Sequence, residues 1–236
     1  MNESVLSKRL LAVLDAVNGD VLADIGADHG YIPIFAVKRG LARRAIACDL
    51  RPRPLEKAAQ NARISGLSHM IETRMGYGLS ALEPGEADCL VISGMGGILM
   101  AEILRNGADV AEAAQRLVLQ PQRDIPLVRR YLYEAGLGIT DEKIVSEDGQ
   151  YYFIIICDKS ATGGAPYSPT EYELSRHLLT RRDPVLISYI EKRLSVLHAI
   201  SARIRAGVGR KPVDPERAAQ IGRQIEIYTE ALNAQA

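Results

Sequence analysis

One stretch, residues 21–33, constrains the fold more than any other part of this chain. It starts as an apolar run that ends in a carboxylate at Asp24, continues through a polar segment bounded by Gly26 and Gly30, and ends at Pro33. Proline suits a first helical position, where its missing N–H leaves no hydrogen bond unmade, and glycine lets a backbone approach a ligand closely. The stretch therefore predicts a strand, a tight turn and a helix whose N-terminus favours electron-rich groups.

The spacing within this turn separates two classes of cofactor. A dinucleotide-binding turn requires Gly-x-Gly-x-x-Gly, whereas this chain has Asp24-x-Gly26-x-Asp28-x-Gly30. Asp28 would repel the pyrophosphate of a nicotinamide cofactor, which argues against an oxidoreductase. S-adenosylmethionine carries a sulfonium and an ammonium and no phosphate. The acidic side chains of Asp24 and Asp28 therefore suit this cofactor. The pattern is similar to the first motif of class I methyltransferases; the alternative is a purely structural turn of an α/β fold.

Further strand-like runs each end in a polar or glycine-rich turn. The second run ends at Asp49, about 20 residues after Gly26, a spacing that brings an acid onto ribose hydroxyls in a βαβ unit. The third leads into Gly76, Tyr77 and Gly78, which can lie against an adenine ring. The fourth, ending near residue 92, leads into residues 93–97, whose glycines allow close approach of a methyl donor and acceptor. A plain surface aspartate and flexible turns are the structural alternatives.

The end of this α/β region departs from an all-parallel pattern. Two β-rich runs, residues 138–146 and 150–157, follow the fifth strand and are joined by Asp148 and Gly149, a strong hairpin signal. Five βα units followed by a hairpin predict a mostly parallel, seven-stranded sheet with one antiparallel strand. This is the Rossmann-like α/β fold of class I methyltransferases, and we assign residues 1–165 to such a domain.

Residues 166–236 are expected to form a separate helical domain. Two apolar stripes with three-four spacing, from Ile187 to Ile204 and from Ala218 to Leu232, are separated by residues 207–212 and predict a short coiled-coil hairpin. Residues 167–236 hold three more Lys and Arg than Asp and Glu, so the domain is either a stabilising appendage or an arm that binds RNA. The candidate RNA-binding residues are Arg181, Arg182, Lys192, Arg193, Arg203, Arg205, Arg210 and Lys211.

Composition limits the cellular compartments and the kinds of partner that fit this chain. The formal net charge is zero, and no apolar run approaches the length of a membrane span. Cys48, Cys89 and Cys157 lie in apolar runs without metal-ligand spacing, which predicts buried thiols in a reducing compartment. We therefore expect a cytoplasmic protein, a monomer, with no metal site and no membrane partner.

Four segments together resemble the bacterial tRNA (adenine-22 N1)-methyltransferase family: residues 24–33, 93–97, 119–121 and 147–152. The resemblance spans almost the whole chain, including the helical tail. It implies methyl transfer from S-adenosylmethionine to N1 of adenine 22 in the D-arm of tRNA. Neutral adenine already holds the attacking lone pair on N1, so the site mainly aligns nucleophile, methyl and sulfur. N1 lies on the Watson–Crick edge, so the target base must leave any pair and enter a pocket.

The resemblance and the motifs together nominate site residues. His29 can hydrogen-bond the acceptor adenine or order Asp28, and Tyr31 can stack on the base; a capping histidine and ordinary tyrosine packing are the alternatives. Asp28 can hold the ammonium or the adenine amine of the donor. The candidate cofactor-binding residues are Asp24, Gly26, Asp28, His29, Asp49, Leu50, Gly76, Tyr77, Gly78, Gly94, Met95 and Gly96. Two other functions stay open: a methyltransferase acting on a small molecule or protein, and a non-catalytic module that binds cofactor or RNA.

Overall fold

A seven-stranded sheet forms the centre of the first of two units, Met1–Pro166 and Tyr167–Ala236. The computed structural model describes residues 2–161, 165–206 and 215–235. Two of the candidate RNA-binding residues, Arg210 and Lys211, therefore lie outside the described residues, as does the predicted break at 207–212.

The strand order of the sheet is β3-β2-β1-β4-β5-β7-β6. The strands are β1 (Val21–Ile25), β2 (Arg44–Asp49), β3 (Ile71–Met75), β4 (Cys89–Met95), β5 (Arg116–Pro121), β6 (Ile139–Glu147) and β7 (Gln150–Asp158). All pairings among β1 to β5 are parallel, and β7 runs antiparallel to both of its neighbours. The predicted mostly parallel sheet with one antiparallel strand is confirmed.

Helices cover both faces of this sheet. They are α1 (Lys8–Leu14), α2 (Tyr31–Lys38), α3 (Pro52–Ile64), α4 (Gly97–Asn106), α5 (Ala108–Ala113) and α6 (Ile125–Glu134). Successive side chains of a strand point to opposite faces, and in β1 Leu22 belongs to one buried apolar cluster while Ala23 belongs to another. The Leu22 cluster includes Phe35 of α2, and the Ala23 cluster includes Met100 of α4. The first unit is thus a three-layer α/β/α structure with its core on both sides of the sheet.

Strand β4 is longer than its apolar run indicates. The strand continues past Ile92 to Met95, which pairs with Pro121 of β5, and the register shifts between Ser93 and Met95. Gly94, with a φ of 79°, supplies the left-handed residue at this irregularity. Bulges of this kind bend a strand and re-aim its side chains, often beside a functional site.

The second unit contains the predicted helical hairpin. Its helices are α7 (Pro169–Leu174), α8 (Arg176–Arg181), α9 (Pro184–Arg205) and α10 (Pro215–Gln235). The hydroxyl of Tyr189, near the start of α9, lies 3.1 Å from that of Tyr228, near the end of α10, so the two long helices run antiparallel. The fully buried Tyr228 also donates to Glu173 of α7 at 2.9 Å, which fastens the short helix to the hairpin.

A further expectation concerns the burial of the three cysteines. Cys48, Cys89 and Cys157 are free and buried, as predicted, and burial raises the pKa of each thiol above its usual value. Across the described ranges, none of the helices combines the length and the apolar character needed to cross a membrane.

Candidate active site

A cavity of about 720 Å³ opens at the carboxyl edge of the sheet, where β1, β2 and β4 end. The sheet order changes direction at β1, because the chain proceeds outward to β2 and β3 on one side and continues with β4 and β5 on the other. In open α/β sheets, ligands bind at such a switch point outside the carboxyl ends of the strands. The topology therefore marks this cavity as the candidate active site.

The structure brings the sequence-predicted site residues together with one exception. The cavity wall includes Asp24, Gly26, Asp28, His29, Tyr31, Asp49, Leu50, Gly76, Tyr77, Gly78, Gly94 and Met95. Gly96 is not part of this wall: it is the N-cap of α4, and a Cβ there would lie 3.0 Å from Nε of Arg123.

The turn after β1 depends on left-handed backbone. Gly26 and Gly30 have φ values of 78° and 70°, and a Cβ at Gly26 would lie 2.5 Å from the Met95 side chain. Asp28 adopts a φ of 44°, an uncommon value for a residue with a side chain. Helix α2 begins at Tyr31, so the expectation that Pro33 occupies the first helical position is wrong. Pro33 still lies in the first turn, where backbone N–H groups have no intrahelical acceptor.

Two buried carboxylates give the cavity a negative floor. Asp24 of β1 is 4% exposed and Asp49 of β2 is 6% exposed. Burial and the negative charge of Asp49 raise the pKa of Asp24 to about 7. Asp49 accepts hydrogen bonds from the backbone N–H of Arg51 at 2.9 Å and from its Nε at 3.4 Å. The Asp24 side chain accepts no hydrogen bond from the described residues, so its carboxylate is suited to a cationic ligand.

The polar residues of the first turn interact with one another. The rings of His29 and Tyr31 stack at an interplanar angle of 11°, with centroids 5.3 Å apart. Nε2 of His29 lies 3.5 Å from a carboxylate oxygen of Asp28. The side-chain amide of Asn61 on α3 donates to the His29 carbonyl oxygen at 2.9 Å, which holds the turn against that helix. The two rings are therefore stacked with an offset, and His29 overlaps only part of one face of Tyr31.

Sequence reasoning missed the wall that α1 and β5 contribute. Nη1 of Arg9 on α1 donates to Oε1 of Gln120 at 2.9 Å and to the Ser93 hydroxyl at 3.2 Å. Gln120 is fully buried, and Arg9, Ser93 and Gln122 line the cavity. Ser7 is the N-cap of α1, and the carboxylate of Glu147 at the end of β6 accepts from the adjacent Lys8 backbone N–H at 2.7 Å.

Only part of this wall had a signal in the sequence. Gln120 stands between Leu119 and Pro121 in an otherwise apolar strand, where a polar residue needs buried hydrogen-bond partners. Nothing in the sequence marked Arg9 as part of the cavity wall, because a charged residue on a surface helix usually faces solvent. Among the described residues, no group of three or more His, Cys, Asp or Glu side chains is placed to hold a metal ion.

Comparison with known proteins places this geometry in a family. A family model described as a methyltransferase domain matches residues 6–155. The tRNA (adenine(22)-N(1))-methyltransferase of Bacillus subtilis is 42% identical over 159 residues, which is 67% of this chain and 67% of that protein. The chain belongs to the bacterial tRNA (adenine-22 N1)-methyltransferase family. The resemblance carried by the four sequence motifs is thereby confirmed.

Solved structures extend the likeness of this family member to both units. A tRNA methyltransferase from Bacillus subtilis is 30% identical, with a TM-score of 0.84 over 96% of this chain and 98% of that chain. A Streptococcus pneumoniae protein described as a putative tRNA methyltransferase, in complex with S-adenosyl-L-methionine, is 30% identical, with a TM-score of 0.84 over 96% of this chain and 99% of that chain. The class I methyltransferase fold and the helical C-terminal region both recur in these structures.

Proposed function

We propose that this enzyme transfers the methyl group of S-adenosylmethionine to N1 of adenine 22 in tRNA. The observation that carries the proposal is the pair of buried carboxylates, Asp24 and Asp49, at the floor of a cavity where the topology predicts a ligand. Their charge fits a cofactor that bears a sulfonium and an ammonium and disfavours one that bears a pyrophosphate. Membership of the methyltransferase family supplies the reaction and the acceptor.

The cavity residues fit distinct parts of this donor. Asp49, at the end of β2, accepts hydrogen bonds from ribose hydroxyls, and Asp24 faces positive charge. The exposed apolar side chain of Leu50 and the ring of Tyr77 bracket an adenine. Tyr77 is held for this role by its hydroxyl, which donates to Glu102 of α4 at 2.9 Å. The glycines at 26 and 94 leave room for backbone to approach the donor.

For this reaction the protein mainly has to align the reactants and stabilise positive charge. The cofactor supplies an electrophilic methyl group on a sulfonium, and neutral adenine supplies the attacking lone pair at N1. We assign Asp28, His29 and Tyr31 to positioning the acceptor, because all three line the cavity on the turn after β1. The carboxylates at the floor favour the positive charge that the reaction carries throughout. A general base is not required, since the adenine product is a cation formed without loss of a proton.

The proposal is tested with unmodified tRNA transcripts and methyl-labelled donor, followed by nucleoside mapping. We expect label in N1-methyladenosine at position 22, and none in a transcript with guanosine at that position. Label in a protein or small molecule would support the first alternative function. Binding of the donor without label in any bulk tRNA would support a non-catalytic module.

Removal of the Asp49 carboxylate tests the cofactor assignment. Asp49→Ala is expected to weaken donor binding about 10- to 100-fold, because a hydrogen bond to a charged acceptor contributes roughly 1.5–3 kcal/mol. Isothermal titration calorimetry measures this affinity. Glu56→Gln on α3 is the matched control, because it removes an exposed carboxylate outside the cavity. Unchanged affinity of the Asp49 variant would defeat the ribose assignment.

We propose that residues 1–165 are the methyltransferase domain and that residues 166–236 bind tRNA. The candidate basic residues are spread along the second unit. Arg181 and Arg182 precede α9, whereas Arg203 and Arg205 lie in its last turns, about 30 Å away at 1.5 Å per residue. Lys192 and Arg193 lie midway along the same helix. Such a spacing suits contacts to several phosphates of an RNA helix.

Charge reversal tests this role of the second unit. Replacing Arg181, Arg182, Arg203 and Arg205 with Glu is expected to weaken tRNA binding at least 10-fold and to flatten its dependence on salt, because fewer counterions are released. Filter binding between 50 and 200 mM salt measures both quantities. The donor affinity serves as the control, since these residues are not part of the cavity wall. Unaltered tRNA binding would restrict the unit to a stabilising role.

Two general properties complete the proposal. We propose, as expected from the sequence, that the monomer is the working form. We also propose a cytoplasmic location, because a tRNA acceptor is available there. Sedimentation of the active enzyme as a larger species would contradict the first of these statements.

A further inference from the structure

Gln122 occupies a fixed position beside the bulged end of β4. Its backbone N–H donates to the Met95 carbonyl oxygen at 2.8 Å, and the Gly97 N–H donates to the Arg123 carbonyl oxygen at 2.9 Å. A Cβ at Gly97 would lie 2.5 Å from the backbone oxygen of Asp124, so the two loops are packed without space for a side chain. The exposed carboxamide of Gln122 lines the cavity on a backbone that both hydrogen bonds hold in place.

A contact with Gln120 favours one orientation of the Gln122 carboxamide. Its Nε2 donates to Oε1 of Gln120 at 3.5 Å. That oxygen accepts from Nη1 of Arg9 at 2.9 Å and from the Ser93 hydroxyl at 3.4 Å, while Nε2 of Gln120 donates to the Pro121 carbonyl oxygen at 3.0 Å. A flip of the Gln122 carboxamide, which exchanges its oxygen and nitrogen, would place its oxygen next to the Gln120 oxygen, and two acceptors in contact are unfavourable. In the orientation that this contact favours, Gln122 keeps its Oε1 and the second hydrogen of its Nε2 for a ligand.

The proposed function limits how an acceptor adenine can be held. Its N1 must stay unbound and unprotonated to attack the methyl group, so the protein cannot pair with the full Watson–Crick edge. The neighbouring edge offers a donor at N6 and an acceptor at N7. A glutamine carboxamide matches these two groups with its oxygen and its nitrogen, the pairing that proteins use to read adenine in nucleic acids.

We propose that Gln122 is the residue that determines specificity for the acceptor base, with Oε1 accepting from N6 and Nε2 donating to N7 of the adenine. The inference rests on the proposed function and adds how the base is recognised. Guanine presents an oxygen at the position of N6, which would face Oε1 of Gln122. In the orientation that the Gln120 contact favours, the site rejects guanine through unfavourable contact between oxygens as well as through the hydrogen on its N1.

The test compares transcripts that carry adenosine or 7-deazaadenosine at position 22. The second base lacks the N7 acceptor and keeps N1 and N6. We expect the wild-type kcat/KM to fall about 5- to 50-fold on the second transcript, the range for loss of part of a bidentate contact. Gln122→Met is expected to lower kcat/KM on adenosine about 10- to 100-fold and to treat the two transcripts alike. Gln60→Met, an exposed glutamine on α3 outside the cavity, is the matched control and should discriminate as the wild type does.

Donor affinity, measured by calorimetry on the same variants, separates the outcomes. It should be unchanged in Gln122→Met; a loss as large as the loss in kcat/KM would show that Gln122 acts on the donor, against the inference. Equal discrimination by the wild type and Gln122→Met, or full activity of that variant, would also overturn it. If the wild-type enzyme leaves N1 of adenine 22 unmodified in both transcripts, the proposed function itself fails and this inference fails with it.

Discussion

Asp24→Asn is expected to weaken donor binding by about 100-fold and, at the same time, to make the ligand-free protein more stable at pH 8. The pKa of Asp24 is about 7, raised by burial and by the charge of Asp49. A folded-state pKa above the unfolded value means that stability is fully present below about pH 4 and is lost as the pH rises through 7. The loss corresponds to roughly 4 kcal/mol for a shift from 3.8 to about 7. Asparagine removes the charge that causes this loss.

The two effects are measured separately. Thermal unfolding without ligand should show a higher midpoint for Asp24→Asn at pH 8 and similar midpoints for both proteins at pH 4, where the carboxyl is protonated. Calorimetry at pH 8 should show the weaker binding, because the neutral amide lacks the charge that attracts a cationic donor. Wild-type binding at pH 6 should release a proton, seen as a dependence of the enthalpy on the buffer. A variant that is less stable at pH 8, or that binds the donor normally, would contradict the assignment.

Arg129→Ala is expected to destabilise the first unit by about 3–5 kcal/mol, the cost of leaving one member of a buried ion pair uncompensated. Arg129 of α6 and Glu142 of β6 are both fully buried, and Nε of Arg129 donates to the two carboxylate oxygens at 3.1 and 2.9 Å. The guanidinium also lies 5.2 Å from the ring centroid of Phe153 on β7. The pair therefore joins a helix to the outer strands of the sheet.

Urea unfolding of the full chain, followed through the first transition, measures this cost. The double variant Arg129→Met with Glu142→Leu is the matched control, since replacing both charges with apolar side chains of similar size is often close to neutral. We expect the double variant to unfold near the wild-type midpoint and Arg129→Ala well below it. A single variant as stable as the double one would show that the ion pair has no structural role.

The parts of the site that were predictable from sequence are those built by one strand and the turn that follows it. Asp24 and Asp49 could be assigned because each ends an apolar run, and parallel strands bring their carboxyl ends to one edge. Arg9 could not, because its role depends on packing against Gln120, which lies 111 positions away. A pattern of local composition does not contain such a contact.

Some features of the fold could likewise be predicted from local sequence, whereas others depend on contacts between distant residues. The helical hairpin was predictable because its apolar stripes repeat every three or four residues. The extension of β4 to Met95 was not, since it depends on pairing with Pro121 across a register shift. Gly96 was assigned to the cavity because of its neighbours in sequence, whereas the turn into α4 directs it toward Arg123.

The hydrogen bond from α1 to Glu147 has a consequence for synthesis on the ribosome. Lys8 and Glu147 are 139 positions apart, so α1 emerges long before the carboxylate that accepts from its Lys8 N–H. At about 5–20 residues per second, the delay is on the order of 10 s. Throughout that delay α1 has only its local N-cap, Ser7, and Arg9 lacks Gln120, which follows 111 positions later. The contacts by which α1 contributes to the cavity wall therefore form only after most of the first unit has been synthesised.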